Sequence, residues 1–360
     1  MARTVEFRYV IVRGGADYGI LTPAENRAPT LRMNENGEIK TSLSADFLPT
    51  VYALDGVHLL PDGEVNWLTD EIRPEMVLDG VTHPLGVYMP ATVQTRKTES
   101  NLSVHVEAYD RCWRIKDNYS TASTYFAAGV NYLSAVEQLL TACGVALIYK
   151  TPTAATLSEA REDWDIGTSY LTIVNQLLSE INYNPLWFDP QGMAILEPAS
   201  VPSAANIEHT LNAWDPDTLV LPGLSRSTDI YRAPNAFLCI CSNADKSGPM
   251  VASSENTNPQ SPLSTVRRGR KIQKVVHVDN IASQTELQAY ANRLLNESMI
   301  TSETVIVRTA LLPGFGVDDV TAILYGEDLM DVCVERAWSM QLQAGGIMTH
   351  TLEKVVINLG

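Results

Sequence analysis

The sequence predicts an α+β chain in which two antiparallel β regions, residues 1–118 and 206–360, flank a central helix-hairpin domain at residues 119–205. Three observations carry this. Short runs of alternating apolar and polar residues fill both ends of the chain. One central stretch, Trp164 to Pro198, reads as a helix leading into a tight hairpin. The opening of that helix occurs twice: Tyr132-Leu133-Ser134-Ala135-Val136-Glu137-Gln138-Leu139-Leu140 aligns in register with Tyr170-Leu171-Thr172-Ile173-Val174-Asn175-Gln176-Leu177-Leu178. Two copies are too few for a solenoid, so the repeat is read as a paired scaffold unit. A chain of 360 residues has room for two or three domains.

Val5, Phe7, Tyr9 and Ile11 share one side of a run that ends at Gly14-Gly15, which predicts a strand from Val5 to Arg13. The polar, proline-punctuated stretch that follows, to about Thr50, predicts no regular element. Further strands are expected at Val51 to Leu54, Val65 to Leu68, Gly86 to Met89 and Leu102 to Tyr109. Asp-Gly, Pro-Asp-Gly and His-Pro turns between them fit a closed or nearly closed antiparallel domain ending near Asn118.

In the centre, Asn131 is placed to cap the first repeated helix and Gly144 to end it in a left-handed conformation. Pro152 to Asp163, rich in small residues, reads as a linker. Thr168 or Ser169 caps the second helix, whose Leu171, Val174, Leu178 and Ile181 form one buried stripe before Asn182 and Asn184-Pro185 stop it. Asp189-Pro190-Gln191-Gly192 then turns the chain between runs at Leu186 to Phe188 and Met193 to Leu196, proline presetting φ and glycine accepting a positive one. Pro198 to Pro222, rich in proline, alanine and serine, marks a domain boundary.

The last region returns to strands, at Ala236 to Cys241 and Lys274 to Val278, separated by a polar loop from Asp245 to Gly269. Ser283-x-x-Glu286 is a capping box, and Leu287, Tyr290, Ala291, Leu294 and Leu295 form a stripe behind it. Strands are expected at Thr304 to Leu312, Val317 to Tyr325, Asp331 to Leu342 and Thr349 to Leu359. In the third, Val332, Val334, Trp338, Met340 and Leu342 are assigned to one face and Glu335, Ser339 and Gln341 to the other.

The composition restricts function. Lys+Arg of 26 against Asp+Glu of 42 gives a formal charge of -16, which argues against duplex binding as a primary role. No apolar run approaches the roughly 20 residues that span a bilayer, and MARTVEFRYV lacks the apolar core of a signal peptide, so synthesis in the cytoplasm is expected. Five cysteines without CxxC spacing read as buried small hydrophobes in a reducing compartment. Asp163-x-Asp165 and Asp215-Pro216-Asp217 lack the twelve-residue calcium cadence, and the six histidines lack zinc spacing, so no metal is expected. Nucleophile-elbow, phosphate-loop and dinucleotide motifs are missing, and neither cofactor nor enzymatic activity is predicted. Carboxylates alone do not make a glycosidase, and Trp164, Trp187, Trp214 and Trp338 suit core packing better than a sugar site. Arg267, Arg268, Arg270 and Lys271, around Gly269, form the one basic cluster and are the candidate interface, with an acidic neighbour as its natural partner.

Taken in order, the pieces resemble a known family. EIRP, LDGV, PLGVY and YDR between Asp70 and Asp117, then Tyr125-Phe126-Ala127-Ala128-Gly129, are similar to the first domain of tail-tip or baseplate hub proteins of long-tailed bacteriophages. GTSYL, LLSEINY and FDPQG resemble that family's helix-hairpin. APNAFLCI, SSENTNPQSPLS, RRGRK, IASQTELQAYANRLL, LPGFGVDDV and SMQLQAGGIMTHTL resemble its last domain. One departure is Gly316-Val317-Asp318-Asp319-Val320, where relatives more often have a plain glycine-aspartate-valine.

The resemblance implies that the two β regions are tail-tube-like barrels. Three chains would then make a pseudo-hexameric homotrimer that joins the tail tube or distal tail protein to spike, fibre or tail-lysin proteins at the distal end of the virion tail. The tape measure protein is a further implied partner, and genomic DNA only passes through the lumen, where an acidic wall keeps it from sticking. A tail-associated cell-wall hydrolase and the hub of a contractile bacteriocin or injection system are the alternatives.

Overall fold

The alternating N-terminal run forms β1 (Val5–Arg13), and Gly14-Gly15, both at positive φ, turn it back into β2 (Ala16–Pro23). The computed structural model describes residues 3–355 apart from 26, 61–62, 98–101, 163, 213–219, 229–233, 242–248, 279–280, 282, 301–302 and 325–329. β3 (Thr30–Asn34), β4 (Thr41–Tyr52), β5 (Glu71–Leu78), β6 (Val81–Pro84), β7 (Tyr88–Lys97) and β8 (Leu102–Asp110) complete the first region. All its pairings are antiparallel, and the path β4-β2-β1-β5-β7-β8 becomes a circuit where β8 pairs back onto β4. Two expectations fail here. The polar stretch before Thr50 holds β2, β3 and the start of β4, because single buried residues such as Leu21, Leu31, Met33 and Leu43 alternate with polar neighbours. Val65 to Leu68 is an irregular turn, and the strand comes just after it in β5, whose Glu71, Arg73, Pro74 and Glu75 obscure its period.

The central unit contains α1 (Cys112–Lys116), α2 (Tyr132–Ala142), β9 (Ile148–Lys150), α3 (Tyr170–Glu180), β10 (Trp187–Phe188) and β11 (Ala194–Leu196). The Asn131 side chain accepts from the backbone N–H of Leu133 and Ser134, and Ser169 accepts from Leu171, so both repeated helices start on a side-chain cap. Gly144 at φ +78° and Asn182 at φ +57° end them. Leu133, Val136 and Leu140 of α2 are buried in one cluster with Leu171, Val174 and Leu178 of α3, each burial worth about 1.5–3 kcal/mol. β11 pairs antiparallel with β10 and parallel with β9; the sequence reading missed β9, which is only three residues long. The segment expected as a linker is part of the packed unit. Leu157 and Arg161 are buried, Arg161 bridges to Phe126, and Ala155 packs on the shared core. Leu157 and Arg161 anchor it, while most of its small residues stay exposed.

The last region runs through β12 (His209–Asn212), β13 (Ser225–Thr228), β14 (Ala236–Cys241), β15 (Met250–Glu255), α4 (Thr265–Arg268), β16 (Gln273–Val278), α5 (Gln284–Ile300), β17 (Glu303–Ala310), β18 (Val320–Leu324), β19 (Met330–Gln341) and β20 (Ile347–Lys354). β12 lies inside the stretch read as a boundary, where it pairs parallel with β18. The long polar loop likewise contains β15 and α4; β15 is an edge strand whose Ser253 and Glu255 face outward, so its pattern is weak. The strands pair in the order β13-β17-β20-β19-β18-β12, while β15-β14-β16 form a separate sheet under α5. Antiparallel pairing of β19 with β3 joins the first and last regions in one sheet. One apolar core follows that joint, drawing Tyr9, Phe47 and Met76 from the first region and Val305, Trp338 and Met348 from the last.

The single-face reading of β19 is overturned by a bulge between Glu335 and Ala337. An extra residue reverses the alternation, so Val332 and Val334 join one cluster while Cys333, Trp338 and Met340 join the other. Glu335, expected outside, is fully buried. The departure at Gly316 to Val320 also has a defined geometry: Asp318 takes φ +61° and its Oδ1 accepts from Arg336, while Asp319 Oδ2 accepts from the Gly316 N–H at 2.6 Å.

Candidate assembly interface

The basic cluster is built on a short helix. Ser264 caps α4 by accepting from the Arg267 N–H, and Gly269 ends it at φ +64°, a left-handed conformation that glycine adopts without strain. Arg267, Arg270 and Lys271 are exposed, and Arg268 is half-buried. Arg267 donates weakly to the Gln260 carbonyl at 3.4 Å, and Lys271 Nζ pairs with Glu255 at 2.6 Å. Burial and the neighbouring Arg270 charge lower the Arg268 pKa.

The turn is pinned from below by Asn235, which is fully buried. Its Nδ2 donates to the carbonyls of Leu263 and Arg270 at 3.2 and 3.0 Å, and its Oδ1 accepts from the Ile272 N–H at 2.7 Å. Asn235→Ala should therefore cost about 1–3 kcal/mol by leaving buried backbone groups without partners. Hydrogen exchange would check this, with protection lost first at Ile272 and its neighbours and retained in α2 and α3.

The Lys271 and Thr265 contacts hold the Glu255 carboxyl below the usual carboxylate range. A lowered carboxyl favours the folded contact above its unfolded pKa and loses that contribution as pH falls through the folded value. An NMR titration of the Glu255 carboxyl should thus give a midpoint below that of an unpaired glutamate, moving up in Lys271→Ala; a midpoint at the ordinary value would contradict the pairing.

A second polar constellation escaped sequence reading altogether. His350 Nδ1 and Glu335 Oε2 are 2.7 Å apart, and His350 Nε2 lies 3.1 Å from Thr309 Oγ1; all three residues are fully buried. Phe315 lies between His350 and His209, and His209 Nε2 is 2.8 Å from Asp319 Oδ2. Burial pushes the Glu335 carboxyl up, against the pull of His350. Among the described residues no group of three or more His, Cys, Asp or Glu side chains could hold a metal ion. The five cysteines are free and buried. Trp164 and Trp338 are core residues, whereas Asp163, Asp215 to Asp217 and Trp214 lie outside the described residues.

By sequence, neither a family model nor a curated protein matches the chain. By structure, it is similar over 96% of its length to the tail protein from Neisseria meningitidis MC58, at 12% identity and a TM-score of 0.62, covering 96% of that chain. The 43 kDa tail protein of prophage MuSo2 from Shewanella oneidensis is similar over 96% of this chain and 98% of its own, at 10% identity and a TM-score of 0.64. The chain has the fold of phage tail proteins. A component of the E. coli type VI secretion system, itself structurally similar to T4 bacteriophage tail proteins gp27 and gp5, shares this tail-protein fold at a TM-score of 0.50 and 12% identity, over 92% of this chain and 76% of that one. Within the tail-protein fold the basic turn belongs to the small sheet β15-β14-β16, outside the large sheet that joins the two ends of the chain. The residues that sequence reading missed there are Leu238, Ile240, Val251 and Val275, which alternate with the α5-facing side chains and so share the opposite face. The unbroken apolar run Phe237 to Cys241 was their one visible signal.

Proposed function

We propose that the chain is a structural virion protein, the central hub of a phage tail tip or baseplate. Three copies form a pseudo-hexameric ring that joins the tail tube to the spike or fibre apparatus and surrounds the DNA channel, without enzymatic activity. The observation that carries this is the nearly end-to-end likeness to tail proteins, covering 96–98% of those chains. The pairing supports it too: each β region contributes a set of six consecutively paired strands, and β3–β19 fixes the two sets in one body, as a subunit with two tube-like barrels requires. A formal charge of -16 suits a channel wall past which DNA slides. The candidate interface is the Arg267, Arg268, Arg270 and Lys271 turn.

The likeness to a type VI secretion component favours one second reading, the equivalent hub of a phage-derived injection machine. Electron-microscopic class averages of the purified protein test the ring. A threefold particle with six β lobes around an open centre is expected, and solid particles without a central opening would overturn it. Gene neighbours that encode a capsid would separate the phage reading from the injection-machine reading.

A further inference from the structure

Charge is sharply segregated in this chain. Residues 234–278 carry six Lys/Arg against two Asp/Glu, so this lobe is +4 in a protein of -16 and the remainder is -20. The outer face of its small sheet carries an apolar strip, Leu238, Ile240, Val251 and Val275, bordered by Ser253, Glu255, Gln273 and His277. Register places Val251 beside Ile240 and Val275 beside Leu238, and both valines are 49% exposed. The other face is already occupied by α5.

The loop between β4 and β5 has the opposite character. Residues 53–70 carry four Asp/Glu and no Lys/Arg, and present Val57, Leu59 and Leu68 to solvent at 73, 57 and 93% exposure. Asp55, which pairs with His58, and Glu64 are exposed in the same loop, whereas Asp70 is buried against Arg13. The loop is not loose. Ala53 donates to the His58 carbonyl, Leu60 to Val51, and Trp67 and Val65 pack on the main core, so the outward-facing leucines and valine are held in place. Single exposed apolar residues are ordinary, but three of them on one anchored loop mark a contact surface.

We propose that these two surfaces are the halves of one contact: the apolar strip of β15-β14-β16, with the basic α4 turn beside it, in one copy docks on the acidic, apolar loop 53–70 of the next. Apolar area supplies the attraction and charge of opposite sign selects the partner. A duplex would satisfy only the charges, leaving Val251 and Val275 against phosphate, so the occupant is protein. Because the two surfaces are different patches of one chain, the contact is heterologous, and such contacts run head to tail, closing into a ring where the rotation between copies is one third of a turn. This deepens the hub reading and rests on it. Both surfaces are open in the single chain, where Val251, Val275, Val57 and Leu68 are exposed.

Mixing two variants tests this. Val251→Glu/Val275→Glu spoils the sheet face and keeps the loop; Val57→Lys/Leu68→Lys spoils the loop and keeps the sheet face. All four positions are at least half-exposed or close to it, and circular dichroism and thermal midpoints like those of the unmodified protein will show that the variants fold. The unmodified protein is expected to form a multi-chain particle, and each variant alone to run at the mass of one chain. Their equimolar mixture should then give a two-chain particle and nothing larger, since only one good contact can form. Either variant alone keeping the unmodified protein's mass would sink the docking contact while leaving a ring intact, and so would a mixture that stays single-chain. An unmodified protein that is itself single-chain would sink the ring along with it.

Discussion

Replacing His350 with leucine is expected to destabilise the protein by about 3–5 kcal/mol, read as a lower urea midpoint, because it strips the partner from a buried carboxyl. Hydrogen-bond counting shows why the site is unforgiving. Thr309 Oγ1 donates its proton to the Ala310 carbonyl at 2.7 Å, so it can only accept from His350 Nε2. Nδ1 and Glu335 then share the remaining proton, and the pair is neutral whichever atom holds it. Removing the imidazole leaves Glu335 in a core that excludes water, with Oε1 already without a hydrogen-bond partner. Replacing both residues by leucine should recover most of the loss, since a buried pair exchanged for apolar side chains of similar volume is often neutral in stability. A double variant as unstable as His350→Leu would mean that Thr309 or the Phe315 contact, not the charge pair, dominates.

Arg161→Leu should cost a similar amount, about 3–5 kcal/mol, localised in the central unit. Arg161 Nη1 meets Glu180 Oε2 at 2.7 Å, Tyr132 Oη donates to the same oxygen at 2.9 Å, and all of this lies in the interior between α2 and α3. The Arg161 guanidinium also sits over the Trp164 ring, 4.8 Å from its centroid, while Trp164 Nε1 donates to Gln176. Tryptophan fluorescence should therefore shift to the red in Arg161→Leu at denaturant concentrations where the unmodified protein is still native. Arg161→Lys keeps the charge but not the planar fork, and should fall between the two. Unchanged stability in Arg161→Leu would show that apolar packing of the repeated helices suffices by itself.

These two sites illustrate what a sequence reveals. Helices announce themselves locally: the Asn131 cap, a second cap at Thr168 or Ser169 that the structure gives to Ser169, the Gly144 and Asn182 stops and the Leu171, Val174, Leu178 stripe were all visible as spacing. The mostly antiparallel β character was visible in the alternating runs. Non-local facts were not. The β3–β19 joint links residues about 300 positions apart, the Glu335 bulge reverses a face through its partner β20, and Arg161 meets Glu180 across a segment that composition alone marks as a linker. The basic turn was legible because its charges are adjacent in sequence. Its apolar companions, Val251 and Val275, lie on separate strands that only the sheet brings together.

The central claim is that copies of this chain build a ring. Multi-angle light scattering across a range of concentrations tests it most directly. The expected result is a species of three 39.5 kDa chains, either stable or in concentration-dependent equilibrium with the single chain. A mass of 39.5 kDa at every concentration would contradict it.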